Sequence, residues 1–323
     1  MTVYLMRRLI QALGVVLVMS LIVFIGVFAI GDPVEILISP DADQMERERA
    51  IVALGLDKPL WLQYLVFLGN ALRGDLGRSF VFNEPALQLI LQRMPATLEL
   101  AFGAMFIALL IGLPLGLYAG LRPKSPVSQG IMAGSILGFS LPTFWVGLML
   151  IMVFAVQLGW LPSTGRGETV SILGMRWSFL TRDGLTHMIM PAMNLALFKI
   201  SLVIRLTRAG VRETMLMDYV KFARAKGLSS ARVTFVHVFK NILIPVVTVV
   251  GLELGSTIAF SVVTESVFAW PGMGKLIIDS INVLDRPVIV AYLMIIVLMF
   301  ITINLVVDLT YSVLDPRVRL ENK

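Results

Sequence analysis

Six stretches of this chain are long and apolar enough to cross a lipid bilayer, and that single requirement leaves little choice of fold. A helix rises about 1.5 Å per residue and roughly 30 Å of hydrocarbon must be crossed, so a span takes about 20 mostly apolar residues. Leu9–Ile30, Leu98–Leu121, Ile131–Leu158, His187–Leu206, Ile242–Val263 and Val288–Tyr311 meet that length. With 57% apolar and 15% charged residues in 323, the chain is too apolar for a water-soluble protein of this size. The reading is an all-α integral membrane protein with six transmembrane helices. The first run follows Arg7 and Arg8 as a signal peptide would, but Val27 to Pro33 offers no convincing small-x-small cleavage site and the apolar run is longer than a signal core, so it is read as a retained span. The third run contains Pro142, which predicts a kink or break near Ser140-Leu141-Pro142.

Orientation follows from the basic residues. Fifteen of the 27 Lys and Arg fall on one face, on Arg7 and Arg8, Arg122 and Lys124, the connection after the fourth span, and the C-terminal tail. Eleven lie on the much longer connections of the other face, so the first face is cytoplasmic and both termini with it. The net charge of +6 is spread along the chain rather than gathered on one soluble module, which argues against nucleic acid as a partner. With no cysteine there is neither a disulfide framework nor a thiolate metal site.

The chain then divides into an N-terminal tail and first span (1–30), an external helical segment (31–97), a transmembrane core (98–311) that includes a cytoplasmic loop (207–241), and a cytoplasmic tail (312–323). In the external segment Asp41 or Asp43 can cap a helix through Leu54, with Gly55 stopping it and Pro59 opening the next. Trp61, Tyr64 and Phe67 form an aromatic stripe on that second helix, read as packing or an interfacial anchor, and Leu60–Leu72 is too short to cross. In the cytoplasmic loop, Glu213–Lys226 reads as one helix with Met215, Tyr219, Phe222 and Ala223 on a shared face. Gly227 ends it, and Ser229 or Ser230 caps a second helix carrying Val233, Val236 and Val238. Such a basic helix-turn-helix is either a snorkelling, lipid-facing connector or a docking element for a cytoplasmic partner.

At this loop the residues resemble a known family. Ala223-Arg224-Ala225-Lys226-Gly227, followed by His237, Asn241 and Pro245-Val246-Val247-Thr248, is similar to the loop of permease subunits of bacterial ABC importers, in the dipeptide, oligopeptide and nickel branch and its B-type permease. The likeness covers nearly the whole chain: Gly31-Asp32-Pro33, Gly55 to Leu60, Gly74-Asp75-Leu76-Gly77, Arg93 to Thr97, Trp160-Leu161-Pro162, Pro271-Gly272-Met273-Gly274, Asn304 to Asp308 and Asp315-Pro316-Arg317. The general loop motif of these importers has Glu-Ala-Ala where Lys221, Phe222 and Ala223 stand, and Ile, Leu and Pro where His237, Phe239 and Lys240 stand. Those departures resemble the peptide branch's own version. The resemblance implies an ABC importer permease fold in a bacterial inner membrane, with a coupling helix between the fourth and fifth spans. There Ala223, Arg224, Ala225, Lys226 and Gly227 would meet an ATPase, the small residues allowing close approach. It implies as partners a second, homologous permease, two ATPase subunits, an external binding protein and a peptide-like substrate, with no cofactor and no enzymatic activity of its own.

Within the spans two charges stand out. Lys199, about 18 Å inward from His187, and Glu253, about 18 Å outward from Asn241, both reach roughly the midplane. They are read either as an intramembrane ion pair or as lining a route for a zwitterionic peptide. Gly272-Met273-Gly274-Lys275-Leu276 lacks the spacing and the Ser or Thr of a phosphate loop and is read as a tight turn before a short external helix. His187 and His237 lie near opposite faces and cannot share a metal ion. Three other readings remain at this point: the same machinery carrying nickel or glutathione, an ion-coupled secondary transporter using Lys199 and Glu253, and a membrane scaffold.

Overall fold

The structure, a computed structural model, describes residues 2–29, 44–53 and 57–314. Gly31-Asp32-Pro33, the Asp41 or Asp43 cap, the Gly55 stop and Asp315-Pro316-Arg317 lie outside the described residues. The helices in chain order are α1 (Thr2–Ala29), α2 (Gln44–Ala53), α3 (Leu60–Leu72), α4 (Ala86–Leu121), α5 (Pro126–Ser140), α6 (Thr143–Leu150), α7 (Arg182–Thr214), α8 (Asp218–Ala225), α9 (Ser230–Phe260), α10 (Val262–Val267), α11 (Met273–Asn282) and α12 (Arg286–Leu314). One antiparallel hairpin, β1 (Val170–Ile172) with β2 (Met175–Trp177), stands between α6 and α7. Two stretches are π-helical, Ile151–Gln157 after α6 and Val233–Phe239 within α9.

Among the described residues α4, α7, α9 and α12 are long and apolar enough to cross a membrane, and the pair α5–α6 makes a fifth if it is one span. The apolar part of α1, Ile10–Gly26, is shorter than these. The third run is a full break rather than a single kinked helix. Leu141, next to Pro142, is extended at φ −81° and ψ 135°, and the two helices meet at 104°. Proline removes the N–H that would continue the ladder, and its ring excludes the α conformation from the residue before it.

The chain forms two compact units, Met1–Met94 with Leu276–Ile301, and Pro95–Lys275 with Thr302–Lys323. In the first, α1 packs on α3 through Phe24, whose ring lies 5.4 Å from that of Tyr64 and 5.9 Å from that of Phe67. The glycines of Gly74-Asp75-Leu76-Gly77 adopt φ +80° and +89° and turn the chain towards the start of α12, where Gly77 leaves only 3.2 Å between an added Cβ and Pro287. Buried Asp285 accepts from Ser79 Oγ and, at 3.1 Å, from the Phe80 N–H.

In the second unit α7 is the central helix, and glycines let its neighbours approach it. Gly112, Gly116 and Gly120, four residues apart on α4, face Val203, Thr207 and Val211. A Cβ on them would stand 2.7, 2.6 and 2.6 Å from the nearest of those side chains. Gly138 of α5 similarly faces Ser201, and Gly251 of α9 faces Val307 of α12. Because lipid tails are as apolar as leucine, packing between spans relies on such close backbone contact rather than on hydrophobic burial.

The loop between α7 and α9 differs from the single helix expected over Glu213–Lys226. α7 runs on to Thr214, Met215–Met217 form a turn, and α8 begins afresh at Asp218. The new register turns Val220 and Ala223 inward, against Val211, Val233, Val238 and Ile242. Tyr219 and Phe222 face outward.

Candidate functional site

Three groups of side chains are candidates for function, one within the spans and two centred outside them. The first is the pair on α7 and α9. Lys199 Nζ donates to Glu253 Oε2 and, at 3.1 Å, to Ser256 Oγ, which in turn donates to the Glu253 carbonyl at 2.8 Å. The ammonium also sits 5.3 Å from the centre of the Phe198 ring. The structure therefore brings Lys199 and Glu253 together across two helices, with side chains 12% and 29% exposed. The adjoining cavity, against Met105, Val203 and Val250, holds only about 10 Å³, no more than one water would need. In this state the two charges answer each other and leave no space between them for a solute.

The second group is α8 and its turn. Gly227 adopts φ +78°, its N–H donates to Arg224 O at 2.9 Å and the Leu228 N–H to Ala223 O at 3.3 Å, the paired bonds that close a helix through a left-handed residue. Nothing lies within 4 Å of a Cβ at Gly227, so here the glycine is required by the backbone. Of the five residues named for this site, Ala223 is buried within the chain's own core, while Arg224, Ala225, Lys226 and Gly227 are exposed. The outward ridge carries Leu216, Tyr219 and Phe222 at 73%, 44% and 61% exposure, with Lys226 Nζ held 4.7 Å over the Phe222 ring.

The third group was not apparent from the sequence. Glu265, on α10 and beyond the end of the α9 span, has no exposed surface. Its carboxylate accepts from Thr97 Oγ1 at 2.7 Å, Ser261 Oγ at 2.9 Å and the Lys275 N–H in the first turn of α11 at 2.9 Å. Thr97 Oγ1 accepts from the Met273 N–H at 2.8 Å, and Trp270 Nε1 donates to Ala96 O at 2.8 Å. A Cβ on Gly272 would fall on the Glu265 carboxylate, and one on Gly274 would stand 2.9 Å from it, so the Pro271–Gly274 turn is shaped around this acid and no phosphate loop is formed. One helical turn further on from Ala96, buried Glu99 accepts from Arg166 Nε and Nη2 at 3.0 and 2.8 Å and from Ser178 Oγ at 2.8 Å. Arg166 also donates to Arg176 O at 2.6 Å, tying the base of the hairpin to α4. Thr97 and the Pro271–Gly274 turn are visible as sequence motifs, but the acid that joins them lies 168 residues from Thr97.

Burial pushes the Glu265 carboxyl above the ordinary range, against the opposing pull of the donors from Thr97, Lys275, Ser261 and Gly274. A carboxyl whose pKa rises on folding contributes stability that is fully present below the unfolded value near 4.5 and is lost as pH rises through the folded value. Glu265→Gln cannot titrate. The melting temperature of the wild type, measured relative to Glu265→Gln, is therefore expected to fall as pH is raised from about 4.5, and a difference independent of pH would contradict this account.

Among the described residues no three His, Asp or Glu side chains converge as a metal ion would require. Comparison with known proteins adds two family matches. Residues 112–320 match the binding-protein-dependent transport system inner membrane component, and residues 1–101 match the N-terminal part of the membrane components of such systems. The chain is 41% identical to the di/tripeptide transport system permease protein DppB of Pseudomonas aeruginosa, covering 90% of each chain. It is 39% identical to the oligopeptide transport system permease protein AppB of Bacillus subtilis, covering 98% of this chain and 99% of that one. With the dipeptide transport system permease protein DppB of Escherichia coli K12 the identity is 36%, covering 98% of each. Among solved structures, an inward-facing form of the MetNI methionine ABC transporter matches with a TM-score of 0.54 at 17% identity, covering 72% of this chain and 99% of that one, which is a likeness of fold.

Proposed function

Because this chain belongs to the family of binding-protein-dependent transport system inner membrane components, we propose that it is the permease subunit of an ATP-driven importer of dipeptides and oligopeptides. The observation that carries the cargo is the full-length similarity to permeases of di/tripeptide, oligopeptide and dipeptide systems. That similarity does not favour nickel or glutathione, and a binding-protein-dependent family leaves no place for a self-sufficient secondary transporter or a scaffold. The chain crosses the bilayer six times, with α1 as the first span and α5–α6 as a broken third, and its basic residues keep both ends and α8 in the cytoplasm. ATP hydrolysis belongs to separate subunits. A second permease completes the pathway, and an external binding protein delivers the peptide. ATP-dependent uptake of a labelled dipeptide into proteoliposomes holding these components tests the reading; uptake without ATP or without the binding protein would sink it.

In this scheme α8 is the coupling helix. Its contact with the ATPase is made by the outward ridge of Leu216, Tyr219 and Phe222, flanked by Arg224 and Lys226, while Ala223 and Val220 fasten the helix to the permease itself. A buried aromatic anchor at an interface is worth about 2 kcal/mol, or roughly 30-fold in affinity. Phe222→Ala is expected to weaken ATPase binding by about that factor while leaving the permease folded. Gly227→Val adds backbone strain at φ +78° and is expected to lower uptake further. Undiminished ATP-driven uptake by both variants would remove α8 from the coupling role. Lys199 and Glu253 act as an ion pair that joins α7 to α9 beside the peptide's route.

A further inference from the structure

α3, read from the sequence as an external helix whose aromatic stripe is packing or an interfacial anchor, has no charged residue between Leu60 and Leu72 and no buried side chain. It leaves Leu60, Trp61, Leu65, Val66 and Leu72 between 48% and 83% exposed, an apolar surface of the kind that marks a membrane or protein contact. Its other side is fastened to α1, with Tyr64 OH and Ser20 Oγ 2.8 Å apart and Phe67 packed with Val23 of α1 and with Val290 and Met294 of α12.

These contacts fix a depth. Counted from Arg8, Ser20 and Phe24 lie about 18 and 24 Å along α1, which is about 12 and 6 Å below the far side of a roughly 30 Å core. Counted from Arg286, Val290 and Met294 lie about 6 and 12 Å into α12. Two spans running in opposite directions thus place α3 at the same level, inside the edge of the hydrocarbon. Charges flank the helix at both ends, Asp57 and Lys58 before it and Arg73 and Asp75 after it, which holds both ends of a helix of about 20 Å at headgroup height. Trp61 is a residue type that prefers that level, while Tyr64 reaches inward to Ser20.

We infer that α3 is a membrane-embedded interfacial helix, lying in the plane of one leaflet with Trp61, Leu65, Val66 and Leu72 in contact with phospholipid acyl chains. The leaflet is the outer one in the orientation proposed above; the embedding itself does not depend on the transport reading. It makes α3 a collar that seals the outer ends of α1 and α12 to the bilayer.

The absence of native cysteine allows a direct test on the full complex. Trp61→Cys, Leu65→Cys and Leu72→Cys, with Glu84→Cys as an exposed loop control, are labelled with bimane in vesicles of phosphatidylethanolamine and phosphatidylglycerol doped with acyl-chain doxyl lipid. The first three labels are expected to be quenched and the control not, and a charged, impermeant maleimide should react with the first three at least an order of magnitude more slowly than with the control. Reaction as fast as at position 84 without quenching would place α3 in water. Protection without quenching, or protection gained only on adding the binding protein, would show a protein surface in place of lipid; either result overturns the inference. Labelling reads no transport, so its failure is separable from failure of the permease assignment.

Discussion

Replacing Gly116 by leucine is expected to lower the stability of the folded protein more than any other single change in the α4–α7 seam. The added Cβ alone would stand 2.6 Å from the Thr207 Cβ and 2.8 Å from the Ile204 carbonyl, and a carbonyl cannot rotate aside as the end of a flexible side chain can. Overpacking of a tight core costs about 3 kcal/mol at its upper range, and this site lies in the middle of a seam whose two neighbours, Gly112 and Gly120, are equally close to α7. Gly116→Ala is expected to destabilise as well, although alanine is the better helix former by about 1 kcal/mol, because the contact begins at Cβ. Gly134→Leu on α5 is the control, since nothing lies within 4 Å of a Cβ there. Thermal unfolding of detergent-solubilised protein, followed by size-exclusion fluorescence, should show a large loss for Gly116→Leu and little change for Gly134→Leu. Equal effects at the two positions would mean that the seam does not hold α4 to α7.

That seam was open to reading and went unread: glycines four residues apart in an apolar run are the pattern that lets two spans approach. The spans α4, α7, α9 and α12 were plain because length and apolarity act locally. Pro142 located the break in the third run, but its 104° angle depends on what α6 packs against, including Gly147 beneath Val267 and Phe268. The register of α8 was misjudged for a different reason. Met215–Met217 contains neither glycine nor proline, so no residue announces the turn, and the face expected to be shared divides, with Met215 and Ala223 packed inward and Tyr219 and Phe222 exposed. Glu265 had no local signature at all. Its meaning comes from Thr97, Ser261 and the glycines of the Pro271–Gly274 turn, and only the fold assembles them.

Neutralising either member of the Lys199–Glu253 pair alone is expected to be more harmful than neutralising both. Lys199→Met leaves the Glu253 carboxylate with Ser256 as its remaining partner, and Glu253→Gln leaves the ammonium with Ser256 Oγ and the Phe198 ring but no opposite charge. Removing one partner of a fully buried pair costs about 3–5 kcal/mol, mostly as the penalty of the charge left behind, and less here because the Glu253 side chain is 29% exposed, whereas replacing both by uncharged groups of similar size is often neutral. In a span the stranded charge has few ways to recover solvation. Both single variants should therefore yield little assembled complex. Lys199→Met with Glu253→Gln should restore assembly and most uptake, and the swap of Lys199→Glu with Glu253→Lys should restore part of it. The decisive comparison is assembly against uptake in the double neutral variant. If that variant assembles with its ATPases yet carries no peptide, the charges act on the substrate's own termini, and the ion pair seen here is the resting state of a binding site rather than a fastening between two helices.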